Sequence, residues 1–165
     1  MSEKKIEEMF NKGQRLQSVY RDFRGAIECF DFVISQLKGK HDKLYPWACF
    51  EKGNALKSIG QLTEAIEAYQ EVIAFGIEDN QHYYWAMDRQ AVMYRKLELF
   101  DKAIEIYNKL LELNPEYSEA WTGKGEVYEA IQQFNDAKTC YTKAIGLGEN
   151  QWAPKLLKEL ANRIE

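Results

Sequence analysis

The chain has 165 residues, 45% of them hydrophobic, with three prolines, ten glycines and a formal net charge of −4. Such a composition can fill a folded core, unlike that of a disordered tail, and its acidic balance argues against general nucleic-acid binding, which needs a basic surface. No apolar run approaches the roughly 20 residues of a membrane span, and the opening MSEKKIEEMF has no signal-like apolar core, so a cytoplasmic protein without membrane attachment is expected.

The first predicted element is a helical hairpin over about 6–40. Met9, Gly13 and Leu16 share one helix face, and Ala26, Phe30 and Val33 share a second at 3–4 spacing. A second hairpin, 46–79, repeats the pattern with Cys49, Gly53 and Leu56, then Ala65, Tyr69 and Val72. The third, 84–117, has Met87, Ala91 and Tyr94, then Phe100, Ala103, Tyr107 and Leu110. The fourth, 118–151, has Trp121, Gly125 and Tyr128, then Ala137, Tyr141 and Ala144. In three hairpins the alanine follows the small residue by twelve positions; from Gly13 to Ala26 it is thirteen, so one extra residue is expected in the first turn. SIGQLTE, KLELFDK and AIQQFND read as the other three turns. Ala103 and Ala137 are 34 apart, whereas the earlier intervals are 38 and 39, which predicts four or five inserted residues near KHDKLY and EDNQHYY. A final helix over about 152–164 carries Trp152, Leu156, Leu160 and Ile164 every four residues, with Leu157 and Ala161 beside them. Asn150 is its expected N-cap, and Pro154 is tolerated in a first turn.

A period near 34 residues of helix, turn and helix, with this signature of aromatic, small and alanine positions, resembles the tetratricopeptide-repeat family. The resemblance covers residues 6–150, and the repeat-ending proline survives as Pro115. It implies an all-α fold in one domain: a right-handed α-solenoid of four helical hairpins closed by a C-terminal capping helix. Hairpins of this kind bury their apolar faces by stacking, and a polar-faced terminal helix covers the end.

The resemblance also implies that the first helix of each hairpin lines a concave groove for an extended or helical peptide. The groove positions are Phe10, Asn11, Gln14, Trp47, Phe50, Glu51, Asn54, Lys57, Trp85, Arg89, Val92, Lys96, Glu119, Thr122 and Glu126. Several are large and apolar where a non-binding helix favours polar residues. Two readings stay open: these aromatics bind a ligand, or they pad the longer junctions between repeats. With Lys57, Arg89 and Lys96 among them, the expected ligand is an acidic, hydrophobic protein segment.

The carboxylate clamp of chaperone-binding relatives is not expected. In the second to fourth units Asn54 matches an asparagine of that pattern, but Phe50 stands for its lysine, Arg89 for the next asparagine, and Glu119 and Gly123 for the last pair. Started one unit earlier, the pattern finds only Arg89.

No catalytic residue, metal site or cofactor is expected. His41 and His82 fall in the inserted segments, and neither has metal-ligand spacing to a second histidine. Cys29, Cys49 and Cys140 are widely spaced and form no CxxC pair, which fits small buried residues. The KG pairs at 12–13, 52–53 and 124–125 lie inside helices, unlike phosphate-binding loops. The function expected is therefore a non-catalytic peptide-binding adaptor. The alternative is a self-associating structural subunit whose aromatic face is an oligomer interface. An RNA-binding repeat would need a basic groove, which the acidic last hairpin opposes.

Overall fold

The computed structural model describes residues 2–76 and 81–164. Among the described residues there are nine α-helices and no strand: α1 (Glu3–Arg15), α2 (Phe23–Leu37), α3 (Leu44–Ser58), α4 (Leu62–Ala74), α5 (Gln81–Lys96), α6 (Phe100–Leu113), α7 (Ser118–Ala130), α8 (Phe134–Gly146) and α9 (Ala153–Ile164). This is the element order of an all-α helical-repeat solenoid. The chain divides into two compact units, Met1–Ala86 and Met87–Glu165, with the boundary inside α5. The second insertion and the end of the second expected repeat fall partly on residues 77–80, outside the described residues.

The repeat positions make the core. In the first unit Ala26, Ala65, Phe30 and Tyr69 are 0% exposed; in the second, Ala103, Ala137, Tyr107 and Tyr141 are equally buried. Burying a side chain such as Phe30 contributes about 1.5–3 kcal/mol. The small residues on the first helices make room for these rings. A Cβ added at Gly53 would stand 2.6 Å from the Tyr69 ring, and one at Gly125 would stand 2.5 Å from the Tyr141 ring. The paired helices thus approach as closely as the ring between them allows.

Each hairpin turns on one left-handed residue placed five positions before the repeat alanine: Arg21 (φ 54°), Gly60 (φ 80°), Glu98 (φ 59°) and Gln132 (φ 62°). In three hairpins the next amide closes the first helix by donating five residues back, from Gln61 to Leu56, Leu99 to Tyr94 and Gln133 to Tyr128, at 2.9–3.0 Å. In the first hairpin Asp22 N–H reaches six residues back, to Leu16 O at 2.9 Å. The difference is a π-helical stretch, Leu16–Tyr20, that continues α1. The extra residue expected in the turn therefore sits inside the helix. A π turn holds one more residue than an α turn, so the connection after it keeps the same form as in the other hairpins. The first insertion is likewise shared out: α2 and α3 are each 15 residues long, against 13 for α7 and α8.

α9 covers the end of the fourth hairpin. Ala153 and Leu160 join Ala137, Tyr141 and Ala144 in one buried cluster, with Leu156 and Leu157 packed against it. Two details differ from the sequence pattern. Trp152 is 57% exposed because it precedes the helix and Ala153 takes the buried place; Ala161 is exposed as well. The capping group is Glu149 rather than Asn150. Its carboxylate accepts from the amides of Gln151 and Trp152 at 2.9 Å each and from that of Ala153. The longer side chain reaches the two amides just before the helix and the first amide within it, three donors that would otherwise be orphaned. Burial is the largest single influence and raises the Glu149 pKa, but the three amide donors together outweigh it and hold the pKa below the usual value.

Candidate partner-binding site

In the first unit the sequence-predicted groove residues divide sharply by burial. Phe10 and Phe50 are 3% and 7% exposed, whereas Trp47 is 39% exposed and Trp85 is half-buried. Phe10 packs between Phe30, at 5.8 Å between ring centroids, and Trp47, at 4.9 Å. Phe50 lies 5.8 Å from Tyr69 and 6.0 Å from Trp85. Both phenylalanines are thus fixed inside the aromatic packing of the helices. The two tryptophans remain at its rim.

His82 joins the two halves of this cluster. Its imidazole stands 5.6 Å from Trp47, 5.6 Å from Phe50 and 5.4 Å from Trp85. Sequence reasoning assigned it to an inserted segment; it lies in the first turn of α5, and its spacing of three from Trp85 was the available signal. Burial lowers the His82 pKa, and the Glu51 carboxylate opposes that shift. Glu51 also accepts from Gln17 Nε2 at 3.0 Å and from Asn54 Nδ2 at 3.5 Å, while Tyr69 Oη donates to Asn54 Oδ1 at 2.9 Å. Asn54 and Glu51 are therefore engaged in holding α1, α3 and α4 together. Asn11 is exposed, and Gln14 and Lys57 are half-buried.

The remaining predicted residues belong to the second unit. Arg89 is exposed and pairs with Asp88 at 3.8 Å; Lys96 and Glu119 are exposed, and Val92 is half-buried. Thr122 is buried and donates to Ser118 O at 3.1 Å, a contact within its own helix. Glu126 meets Arg95 at 3.3 Å. Burial raises its pKa, Arg95 opposes the rise, and Glu129 adds to it. Glu129 itself accepts from Tyr141 Oη at 2.9 Å and from Arg163 of α9. Arg95, Glu126, Glu129, Leu156 and Arg163 line a cleft of about 340 Å³.

Little here suits nucleophilic or metal chemistry. All three cysteines are buried. Burial, reinforced by Glu71, pushes the Cys49 thiol up to about 12, and burial pushes Cys140 up to about 11. Among the described residues no group of three His, Cys, Asp or Glu side chains is placed to hold a metal ion, and no helix is long and apolar enough to cross a membrane.

Stacked hairpins built on buried alanines and facing rings, with tryptophans left at the rim, define a helical-repeat scaffold. Family models described as tetratricopeptide repeat match residues 48–75, 86–117 and 106–139. The chain is a tetratricopeptide-repeat protein. It is 30% identical over 146 residues, 84% of its length, to a probable UDP-N-acetylglucosamine–peptide N-acetylglucosaminyltransferase SPINDLY from Hordeum vulgare, of which it covers 14%. It spans between 14% and 64% of the curated relatives it matches. A tetratricopeptide-repeat protein from Parabacteroides merdae has the same fold, with a TM-score of 0.80 at 23% identity over 94% of this chain and 58% of that one. The first such domain of Spaghetti (RPAP3), solved bound to the HSP90 peptide SRMEEVD, aligns with a TM-score of 0.65 at 25% identity, over 74% of this chain and 95% of that one. Family and fold together place the chain among protein–protein interaction adaptors.

Proposed function

We propose that the protein is a non-catalytic adaptor that seats an acidic, hydrophobic segment of its partner on the rim formed by Trp47, His82 and Trp85. One observation carries this reading. Trp47 keeps 39% of its surface exposed although Phe10 and His82 pack against it, so an aromatic face remains for a ligand to cover. Tryptophan is among the residues most enriched at the energetic centres of protein interfaces. Lys57 lies about 15 Å along the same helix from Trp47, where it favours an acidic residue several positions from the anchor. The raised thiol pKa values of Cys49 and Cys140 support a role without covalent catalysis.

The peptide held by the RPAP3 domain is not expected to bind in the same way. Phe50 occupies the place of a clamp lysine and is buried against Tyr69 and Trp85, so the position presents no cation to a carboxylate.

Selection from a displayed library of random peptides on the immobilised protein tests the proposal. The selected peptides should combine acidic residues with an aromatic or aliphatic anchor. Trp47→Ala with Trp85→Ala should weaken the best of them by about 30-fold or more, the effect of losing about 2 kcal/mol. Because both rings also pack on His82 the melt falls as well, so binding is compared at a temperature where circular dichroism shows the variant fully folded. Enriched peptides that bind the double variant as tightly as the parent would refute the site.

A further inference from the structure

The π-helical end of α1 gives the first hairpin a tip unlike the other three. Val19 and Tyr20 are 67% and 65% exposed, more than any other large hydrophobic side chain among the described residues. The positions corresponding to Val19 in the other hairpins are Ser58, Lys96 and Ala130, so a bare aliphatic side chain larger than a methyl group occurs there in this tip alone. Between Lys12 and Arg24 the chain carries Lys12, Arg15, Arg21 and Arg24 against the single carboxylate of Asp22, which is occupied in accepting from Gly25 N–H at 3.0 Å. The tip is also rigid: Asp22 N–H is bonded to Leu16 O at 2.9 Å, and Ser18 Oγ donates to Gln14 O at 2.7 Å. A fixed, basic, hydrophobic knob thus stands on a protein whose net charge is −4.

The same chain carries its electrostatic complement. From the end of α6 to the start of α7, residues 112–119 contain Glu112, Glu116 and Glu119 and no lysine or arginine. All three carboxylates are exposed, and Leu113 among them is 40% exposed. This segment is pinned too: Trp121 Nε1 donates to Pro115 O at 3.0 Å, and Glu116 N–H donates to Asn114 Oδ1 at 3.2 Å. We propose that the knob around Val19 and Tyr20 docks on the 112–119 segment of a second copy of this chain, giving a head-to-tail self-association. The proposed contact shares no residue with the Trp47–Trp85 rim and does not depend on the function proposed for it. Tyrosine and arginine are favoured interface residues, whereas isolated surface charges seldom are. Both partners are ordered before they meet, so little entropy opposes docking. Two short segments cover less than a standard interface, which makes the contact weak and salt-sensitive. Because the two faces differ, the contact is heterologous and extends into open chains unless it closes as a ring.

Sedimentation and light scattering of the full chain test this with two neutralised variants. The knob variant carries Val19→Ser, Tyr20→Ser, Arg21→Gln and Arg24→Gln; the segment variant carries Glu112→Gln, Leu113→Ser and Glu116→Gln. All these positions are exposed, and unchanged melts are to accompany every comparison. The parent's weight-average mass should rise with concentration towards about 1 mM in about 50 mM salt and fall back in about 500 mM salt. Each variant alone should stay monomeric, and an equimolar mixture should stop at twice the monomer mass, since one intact knob meets one intact segment. A parent that is monomeric at every concentration overturns the proposal, as does a variant that associates like the parent or a mixture that stays monomeric. A monomeric parent that instead binds phosphatidylserine vesicles through the knob would assign the surface to a lipid headgroup and also overturn it.

Discussion

Adding one methyl group should have opposite effects at two glycines of the same hairpin. At Gly125 a new Cβ would lie 2.5 and 2.7 Å from two carbons of the Tyr141 ring and 3.2 Å from Cys140 Cβ. The ring cannot swing aside: it is 0% exposed, and its hydroxyl is held by Glu129 at 2.9 Å. Overpacking of this kind costs about 1–3 kcal/mol. Replacing a mid-helix glycine with alanine returns up to about 1 kcal/mol of helix propensity, which leaves Gly125→Ala about 1–2 kcal/mol less stable than the parent. Gly146 ends α8 with nothing within 4 Å of its would-be Cβ. There the propensity gain stands alone, and Gly146→Ala should be about 0.5–1 kcal/mol more stable. Urea melts of the two variants, compared at equal m-values, give both numbers. If Gly125→Ala matches or exceeds the parent, the ring does not set the distance between α7 and α8, and the packing argument fails.

Replacing Ala103 or Ala137 with leucine should cost about 1–3 kcal/mol in the same melts, because both are 0% exposed against neighbouring helices; parent-like stability would mean the repeat frame is misplaced. Glu149→Ala should cost about 1 kcal/mol at pH 7, the usual worth of a helix cap. The cost is tied to pH. A carboxylate whose folded pKa is lowered stabilises fully above its ordinary value of 4.5 and loses that contribution as pH falls through the folded value. The gap between parent and variant should therefore close in acid, and a gap independent of pH between 3 and 6 would remove Glu149 from the capping role.

The core of the fold was legible because its positions carry size information. Alanine, an aromatic ring and a small residue recur at 3–4 spacing, where close approach restricts size, as at Gly53 against Tyr69. The extra residue between Gly13 and Ala26 was legible as a count but not as a place. Only the backbone shows that Arg21 keeps its left-handed position five residues before Ala26, which forces the surplus back into α1. The cap of α9 was missed by one residue because Asn150 has the usual cap chemistry, while Glu149 works through its longer reach. The candidate site was the least legible part. Helical periodicity puts Phe10, Trp47, Phe50 and Trp85 on comparable faces, but burial separates them: the phenylalanines end inside and the tryptophans at the rim. His82, which packs on Trp47, Phe50 and Trp85, is part of that arrangement and could not be placed by periodicity alone.

The four tryptophans allow the central claim to be tested in one titration. Trp47 and Trp85 form the proposed rim, Trp121 has its indole N–H committed to Pro115 O at 3.0 Å, and Trp152 lies exposed beside α9. In a ¹⁵N correlation spectrum their four indole signals can be assigned by single Trp→Phe variants. Titration with a library-selected acidic peptide should shift or broaden the Trp47 and Trp85 signals together, along one saturation curve, and leave Trp121 and Trp152 in place. If the peptide saturates while Trp47 and Trp85 stay fixed, it binds elsewhere, and the aromatic rim is only packing between repeats.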